Sequence, residues 1–352
     1  MGPFVYTGLP ARVIFGAGSL EHLGREIELL GATRALVLST PQQRAQAEAL
    51  AVQLGSRAAG VFAEAVMHVP VETAREARDV AAAVGADCAI AIGGGSTTGL
   101  GKAIALESAL PILAIPTTYA GSEMTPIYGL TEGGLKRTGR DLRVLPKTVI
   151  YDPALTTSLP PALSLTSGIN AIAHAAEGLY AQDGNPVLSL MAEEGIRALG
   201  EGLPRVMGQP GDLAARADCL YGAWLCGMVL GSVGMALHHK LCHTLGGTFN
   251  LPHAETHTIV LPHVLAYNRD AAPEAMRRIA RALHVDDAAQ GVFDLAREHG
   301  APTALKQLGM SAGDLDVALD LALKNPYWNP RAVERVPLRT VLEDAFEGRR
   351  PA

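Results

Sequence analysis

The order in which local patterns succeed one another is what most limits how this chain can fold. Four short apolar runs, ALVLST (35–40), GVFAEAV (60–66), DCAIAIGGGS (87–96) and PILAIPTT (111–118), are interleaved with amphipathic stretches, EALAVQL (48–54) and VETAREARDVAAAV (71–84). Short apolar runs bounded by turn residues read as buried strands, and the longer periodic stretches read as helices. Strands separated by helices imply a parallel sheet covered on both faces, because parallel neighbours need a crossover connection. VLPKTVIYDP (144–153) reads as the last strand of this region. At TTSLPP (156–161) the texture changes, and the rest of the chain is Ala- and Leu-rich with helical periodicity and few strand candidates. We therefore expect a Rossmann-like α/β domain with a parallel sheet over residues 1–155 and an all-helical domain over 156–352, with the boundary near Asp152–Pro161. Ligands of open α/β sheets bind at strand carboxyl ends, so the active cleft is expected between the two halves.

Composition narrows the function. A chain of 352 residues has room for two domains and a substantial core, and its net charge of −6 argues against nucleic acid. Cys88, Cys219, Cys226 and Cys242 form no CxxC pair, which suits reduced thiols in a cytoplasmic protein. The opening MGPFVYTGLP has no signal-like apolar block. Cys219–Leu237 carries no charge and is long enough to span a bilayer. It also holds Gly222, Gly227, Gly231 and Gly234 and runs into His238, His239 and Lys240, so a buried helix packed through glycines is expected, and no membrane partner.

Two sets of residues carry chemistry. AIAIGGGSTTGLGKAIAL (89–106) is strand, glycine loop, helix: Gly93, Gly94 and Gly95 let backbone approach a phosphate, the helix offers its positive end, and Ser96 adds a hydroxyl. The plain alternative is an ordinary glycine-rich turn, since neither the G-x-G-x-x-G nor the Walker spacing is present. Thr117, Thr118 and Ser122 of IPTTYAGSEMTP (115–126) supply hydroxyls for a nucleotide and Tyr119 a flat wall, although a solvated loop reads equally well. The earlier strand ends at Ser39–Thr40–Pro41 without the acidic residue that binds a ribose 2′-OH and repels a 2′-phosphate, so either NADH or NADPH is acceptable. Lys147 is a candidate for ribose or phosphate, or a solvated edge lysine.

The second set is a histidine cluster. Asn170 and His174 are four apart, as are His239 and His243, and His253 comes after them in NLPHAETH. Four-residue spacing places each pair on one helical face. An Asp at position 170 would complete a three-imidazole, one-carboxylate metal site; a neutral amide is a poor ligand. Singly, each histidine reads as a satisfied interior residue or a helix start; together the spacings favour a shared pocket. His238, His257 and His263 read as supporting or structural residues.

GGGS, PTTxxxSE, KTVIYDP and the HxxxH–PH arrangement resemble the iron-containing alcohol dehydrogenase family over nearly the whole length, which implies the dehydroquinate synthase-like fold. In that family an Asp and three His hold a metal, at positions occupied here by Asn170, His174, His239 and His253, and His243 matches a further active-site histidine. An Asp near the nicotinamide falls on Gly99. Both departures, together with STPQQ (39–43), SGINAIAHAAEGLYA (167–181) and NPYWNPR (325–331), resemble the branch that reduces maleylacetate. The resemblance implies NADH or NADPH, no metal, a homodimer, and a cytoplasmic enzyme of aromatic-compound breakdown acting on a dianionic substrate. For such a reduction His243 is the leading candidate proton donor, His239 and His174 are candidates for the oxyanion or a carboxylate, and His253 and Asn170 for orienting substrate or the other imidazoles; these roles are interchangeable at the level of sequence. Tyr119, His239 and His253 are the substrate-contact candidates, and Arg137, Arg140, Arg143 and Arg331 are possible carboxylate clamps or ordinary surface arginines.

Overall fold

The computed structural model describes residues 4–9, 11–133 and 135–352. The chain forms two compact units, Leu9–Ser158 and Leu159–Ala352, the second joined by the described residues before Leu9. The first unit contains strands β1 (Arg12–Phe15), β2 (Ala35–Leu38), β3 (Ala58–Phe62), β4 (Cys88–Gly93), β5 (Ile112–Pro116), β6 (Ile127–Glu132), β7 (Leu135–Arg140) and β8 (Thr148–Tyr151), with helices α1 (Leu23–Leu29), α2 (Arg44–Leu54), α3 (Val71–Ala83) and α4 (Gly95–Ser108). Six strands make one sheet in the order β1-β8-β5-β4-β2-β3, every neighbouring pair parallel.

Every residue of β2, β4, β5 and β8 is buried, as central strands covered on both faces must be. Alternate residues of β2 feed opposite faces. Ala35 and Val37 join Ile27, Leu50, Ile90 and Leu113 in one core cluster, while Leu36 and Leu38 join Ala77, Leu100 and Ile104 in the other.

Two features escape the sequence reading. β1 is a four-residue edge strand whose ends are exposed, too short for a periodicity to register. β6 and β7 form an antiparallel hairpin with Ile127 opposite Arg140, and their mixed polar sequence carries no apolar alternation. The parallel sheet itself agrees with expectation, with strands a residue or more shorter than the apolar runs that signal them.

Among the described residues the regular structure of the second unit is helical: α5 (Pro161–Leu179), α6 (Pro186–Gly208), α7 (Leu213–Ser232), α8 (Leu237–Phe249), α9 (His253–Asn268), α10 (Pro273–Leu283), α11 (Ala288–Glu298), α12 (Asp314–Leu323) and α13 (Arg335–Glu347). α7 is long and apolar enough to cross a membrane by length and composition. Its packing is that of a core helix. A Cβ on Gly222 would lie 2.8 Å from the Gly195 carbonyl, and one on Gly195 2.8 Å from Cys226 Sγ, so α6 and α7 approach at a separation only glycine permits. A Cβ on Gly178 would meet Val229 Cγ1 at 2.1 Å, which brings α5 equally close to α7 beside the histidine-bearing face.

Candidate active site

In the first unit the carboxyl ends of β2, β4 and β5 gather a set of uncharged polar groups. Gly93 ends β4 with φ of 151°, and a Cβ there would meet Thr97 Oγ1 at 2.4 Å and Gln43 Oε1 at 2.9 Å. A Cβ on Gly94 would meet the Thr118 side chain at 2.9 Å. Glycine is therefore required twice in succession, and Gly95 opens α4 directly afterwards. First-turn N–H groups have no intrahelical acceptor, so this helix start presents donors to an anion. Gln43 Nε2 donates to Thr117 Oγ1 at 2.9 Å, tying the segment after β2 to the end of β5, while Thr97 Oγ1 is buried without a partner. Gly93, Gly94, Gly95, Ser96, Thr117 and Thr118 thus share one loop cluster, with Ser39 at the neighbouring strand end, where its Oγ donates to the Thr40 carbonyl at 3.1 Å. No acidic residue stands at that strand end, in agreement with the sequence.

Two expectations for this unit, those for Lys147 and Tyr119, need correction. Lys147 precedes β8, and its N–H donates to Ile112, the first residue of β5. It sits at the amino edge of the sheet, about 13 Å along the strands from Gly93, too remote for the phosphate loop. Tyr119 is fully buried and presents no wall. Ser122 is engaged by Lys102, whose buried Nζ donates to the carbonyls of Ser122 (2.7 Å), Thr125 (2.8 Å) and Ile127 (2.7 Å). Burial pushes the Lys102 ammonium down to about 7, opposed by the nearby Glu123 carboxylate. Glu123 in turn accepts from Tyr151 Oη at 2.7 Å. This buried network holds the 122–127 loop in place. Gln43 and Lys102 lie in stretches read for other features, and nothing in their local pattern announces these contacts.

Position 99 has its own geometry. A Cβ on Gly99 would lie 2.8 Å from Val69 Cγ2. Val69 and His68 adopt left-handed backbone, φ 44° and 66°, a cost of about 1–3 kcal/mol each. Hydrogen bonds from Thr131 to both carbonyls hold the turn, at 3.1 Å and 2.8 Å. Val69 fills the space that a side chain at 99 would take. Among the candidate arginines, Arg143 forks onto Asp141, Arg137 pairs with Glu132, and Arg331 lies 4.1 Å over the Tyr267 ring while donating to its carbonyl. None of these three is held ready for a substrate carboxylate; Arg140 ends β7.

In the second unit α5 contributes Asn170 and His174, α8 His239 and His243, and α9 His253 and His257, each pair four residues apart, and the rings converge. His239 lies 5.0 Å from His174, 6.0 Å from His243 and 5.0 Å from His257 between centroids, and His253 lies 4.3 Å from His257. Asn170 Nδ2 lies 3.3 Å from His174 Nε2, His174 Nδ1 and His239 Nε2 share a 2.8 Å bond, and His239 Nδ1 lies 2.8 Å from Glu177 Oε2. Glu177 also accepts the backbone N–H groups of Ala236 (2.6 Å) and His238 (2.7 Å), capping the start of α8 from α5. Behind this line His238 Nε2 and His257 Nδ1 share a 2.9 Å bond, with Cys242 Sγ 3.6 Å from His238 Nε2. His238, Cys242 and His257 have potential ligand atoms within 4.8 Å of one another, but the imidazole–imidazole bond occupies the gap. Burial first, then the neighbouring histidines, pushes His238 and His257 well below the usual imidazole range, so both are neutral supports. His263 stands apart, against Phe293.

Exposure is graded across the cluster. Asn170, His174, Glu177 and His239 are buried, His243 is half-buried and His253 is exposed. His243 Nδ1 lies 3.2 Å from Tyr327 Oη. Sequence reasoning missed Glu177, although it continues the face of Asn170 and His174 at i+7, a readable signal. Tyr327, 84 residues from His243, had only its place in NPYWNPR.

The comparisons with known proteins cover both of these regions. Residues 10–153 match the model "Iron-containing alcohol dehydrogenase", and residues 164–346 match "Fe-containing alcohol dehydrogenase family, C-terminal". The chain belongs to the iron-containing alcohol dehydrogenase family. It is an oxidoreductase. Within the family it is 65% identical, over all of both chains, to the maleylacetate reductase of Burkholderia cepacia. The crystal structure of a maleylacetate reductase from Agrobacterium tumefaciens matches with TM-score 0.96 and 57% identity over all of both chains. A structure from Ralstonia eutropha JMP134, assigned as an alcohol dehydrogenase, matches with TM-score 0.99 and 67% identity over the same full span.

Proposed function

We propose that this protein reduces the carbon–carbon double bond of maleylacetate to 3-oxoadipate with NADH or NADPH, without a metal, in the breakdown of aromatic compounds. The observation that carries this reading is the hydrogen bond from the Asn170 amide to His174 Nε2, in a chain whose full-length relatives include maleylacetate reductases.

The donor set does not suit a divalent cation. His174 Nε2 faces the amide, His174 Nδ1 and His239 Nε2 face each other, and His239 Nδ1 faces Glu177. A cation needs imidazole lone pairs directed at a common point; here each ring nitrogen of the pair already has a partner, and the amide at position 170 is a poor ligand. An alcohol substrate needs an electrophile on its oxygen, commonly a metal. A C=C conjugated to a ketone needs only hydrogen-bond donors for an enolate and a proton for carbon.

The glycine loop suits a dinucleotide: it would hold the pyrophosphate at Gly93–Ser96, with Thr117 and Thr118 alongside. Bound cofactor supplies the hydride to the alkene carbon β to the ketone, leaving an enolate whose α carbon takes a proton. His243 is the leading donor of that proton, being half-buried and backed by Tyr327 Oη, and an imidazole can exchange protons near neutral pH. His253 contacts substrate from the exposed start of α9. The neutral amide at 170 spares a dianion the repulsion of a carboxylate. The four cysteines, all buried and none in a disulfide, accord with a reducing cytoplasm, and assembly as a homodimer belongs to the same reading.

The test is oxidation of NADH and of NADPH by the purified chain with maleylacetate, with product identification, beside a panel of primary alcohols and diols. Formation of 3-oxoadipate is expected. Oxidation of alcohols without reaction of maleylacetate would support a metal-dependent alcohol dehydrogenase instead, and cofactor binding without any turnover would support a binding protein.

A further inference from the structure

The hydrogen bonds behind the reacting histidines have only one consistent direction when both rings are neutral. Three donors converge on the buried Glu177 carboxylate: the N–H groups of Ala236 and His238, and His239 Nδ1. A carboxylate that accepts three hydrogen bonds has no proton to give, so the hydrogen of the third contact sits on His239 Nδ1. A neutral imidazole protonated there has only a lone pair at Nε2. That nitrogen is 2.8 Å from His174 Nδ1, so His174 is the donor, and its own Nε2 becomes a lone pair. Asn170 meets that lone pair at 3.3 Å, and only its amide N–H can answer. This assigns which end of the amide faces the ring, and Asn170 Oδ1 is the buried atom left without a partner.

We propose that Glu177 is a positioning residue that fixes the tautomers of His239 and His174 and, through them, the orientation of the Asn170 amide. The inference deepens the metal-independent reductase reading and rests on it for its catalytic consequence. His239 gives its one N–H to Glu177 and His174 gives its one N–H to His239, so neither keeps a donor for substrate. Donation to the developing enolate or to carbon therefore falls to His243 and His253, and the buried pair serves to hold Asn170. A carboxylate at position 170 could not satisfy a His174 ring held in this tautomer, because it has no hydrogen to donate. Glu177 and Asn170 thus belong to one hydrogen-bonded unit although seven residues apart on α5.

The experiment is long-range 1H–15N correlation of the full chain labelled with 15N-histidine at neutral pH, with the two rings assigned through His174→Gln and His239→Gln. His239 and His174 are both expected to show a pyrrole-type Nδ1 and a pyridine-type Nε2. Glu177→Gln, whose amide can present either end, is expected to give a mixture of tautomers at His239 and a kcat for maleylacetate lower by about 10- to 100-fold, with the KM for cofactor unchanged. A hydrogen on Nε2 of either ring in the unsubstituted protein would overturn the proposal. So would a Glu177→Gln protein with unchanged tautomers and unchanged kcat. Glu177 also caps α8; should that variant fail to fold, the spectrum of the unsubstituted protein decides alone. Absence of maleylacetate turnover by the unsubstituted protein would sink the reductase reading, yet leave the tautomer pattern to stand or fall by itself.

Discussion

The glycine loop of the first unit and the histidine cluster of the second handle polar groups in opposite ways. Around Gly93–Ser96 the groups on offer are backbone N–H donors and small hydroxyls, and what defines the region is space: a Cβ on either of two successive glycines would collide with Thr97, Gln43 or Thr118. Around His239 the groups are large side chains tied to one another, from Asn170 through His174 and His239 to Glu177. A region specified by space is altered by adding volume. A region specified by donor and acceptor identity is altered by exchanging a single atom of nearly the same size.

Substitutions that respect this distinction should separate cofactor binding from chemistry. The largest effect is expected for His243→Ala: kcat for maleylacetate should fall by about 10²- to 10⁴-fold, the range of a lost general acid, while the dissociation constant for NADH or NADPH stays unchanged in a fluorescence titration. A parallel loss of cofactor affinity would mean that the two regions are not independent. Next is Asn170→Asp, a change of one NH₂ for one oxygen. It should lower kcat by about 10- to 100-fold and create affinity for zinc or iron, measured by calorimetry and by metal content after dialysis. An unchanged metal content together with an unchanged kcat would remove the amide from its assigned place.

Gly93→Ala should do the reverse of His243→Ala. The added carbon meets Thr97 and Gln43 at a φ that side chains rarely adopt, at a cost of about 1–3 kcal/mol. It should appear as a lower Tm and weaker cofactor binding, with the rate at saturating cofactor much less affected. The smallest effect concerns pH. Burial lowers His263 from 6.5 to about 4, opposed by Asp344. Between those values the native chain binds fewer protons than the unfolded chain, so stability falls as pH drops from 6.5 towards 4, by about 1 kcal/mol per unit. His263→Phe should flatten that part of the stability–pH curve measured by urea unfolding, and a curve unchanged in slope would show that His263 does not titrate as its burial implies.

The two regions also differed in how much of them could be read from the residues. GGGS after an apolar run was legible because a strand, a tight turn and a helix start leave their marks on neighbouring residues, and β2, β4 and β5 came from the same local signals. The i, i+4 spacing of the histidines was equally local. Glu177 lies within reach of that rule, at i+3 from His174, and was not singled out. What local pattern cannot carry is contact between distant segments: Gln43 with Thr117, Lys102 with the 122–127 loop, and His243 with Tyr327. Lys147 shows the converse error. Its type suited a phosphate, but strand direction puts it at the wrong edge of the sheet, and direction becomes visible only once β8 is paired with β5.

On the proposed reading, an amide at position 170 lets the imidazoles work without a cation. Its most direct test is turnover of maleylacetate with NAD(P)H before and after exhaustive removal of bound metal by chelation, with metal content measured in the same samples. Unchanged kcat in protein holding far less than one metal per chain is the predicted result. Loss of activity on stripping, restored by one equivalent of iron or zinc per chain, would contradict it.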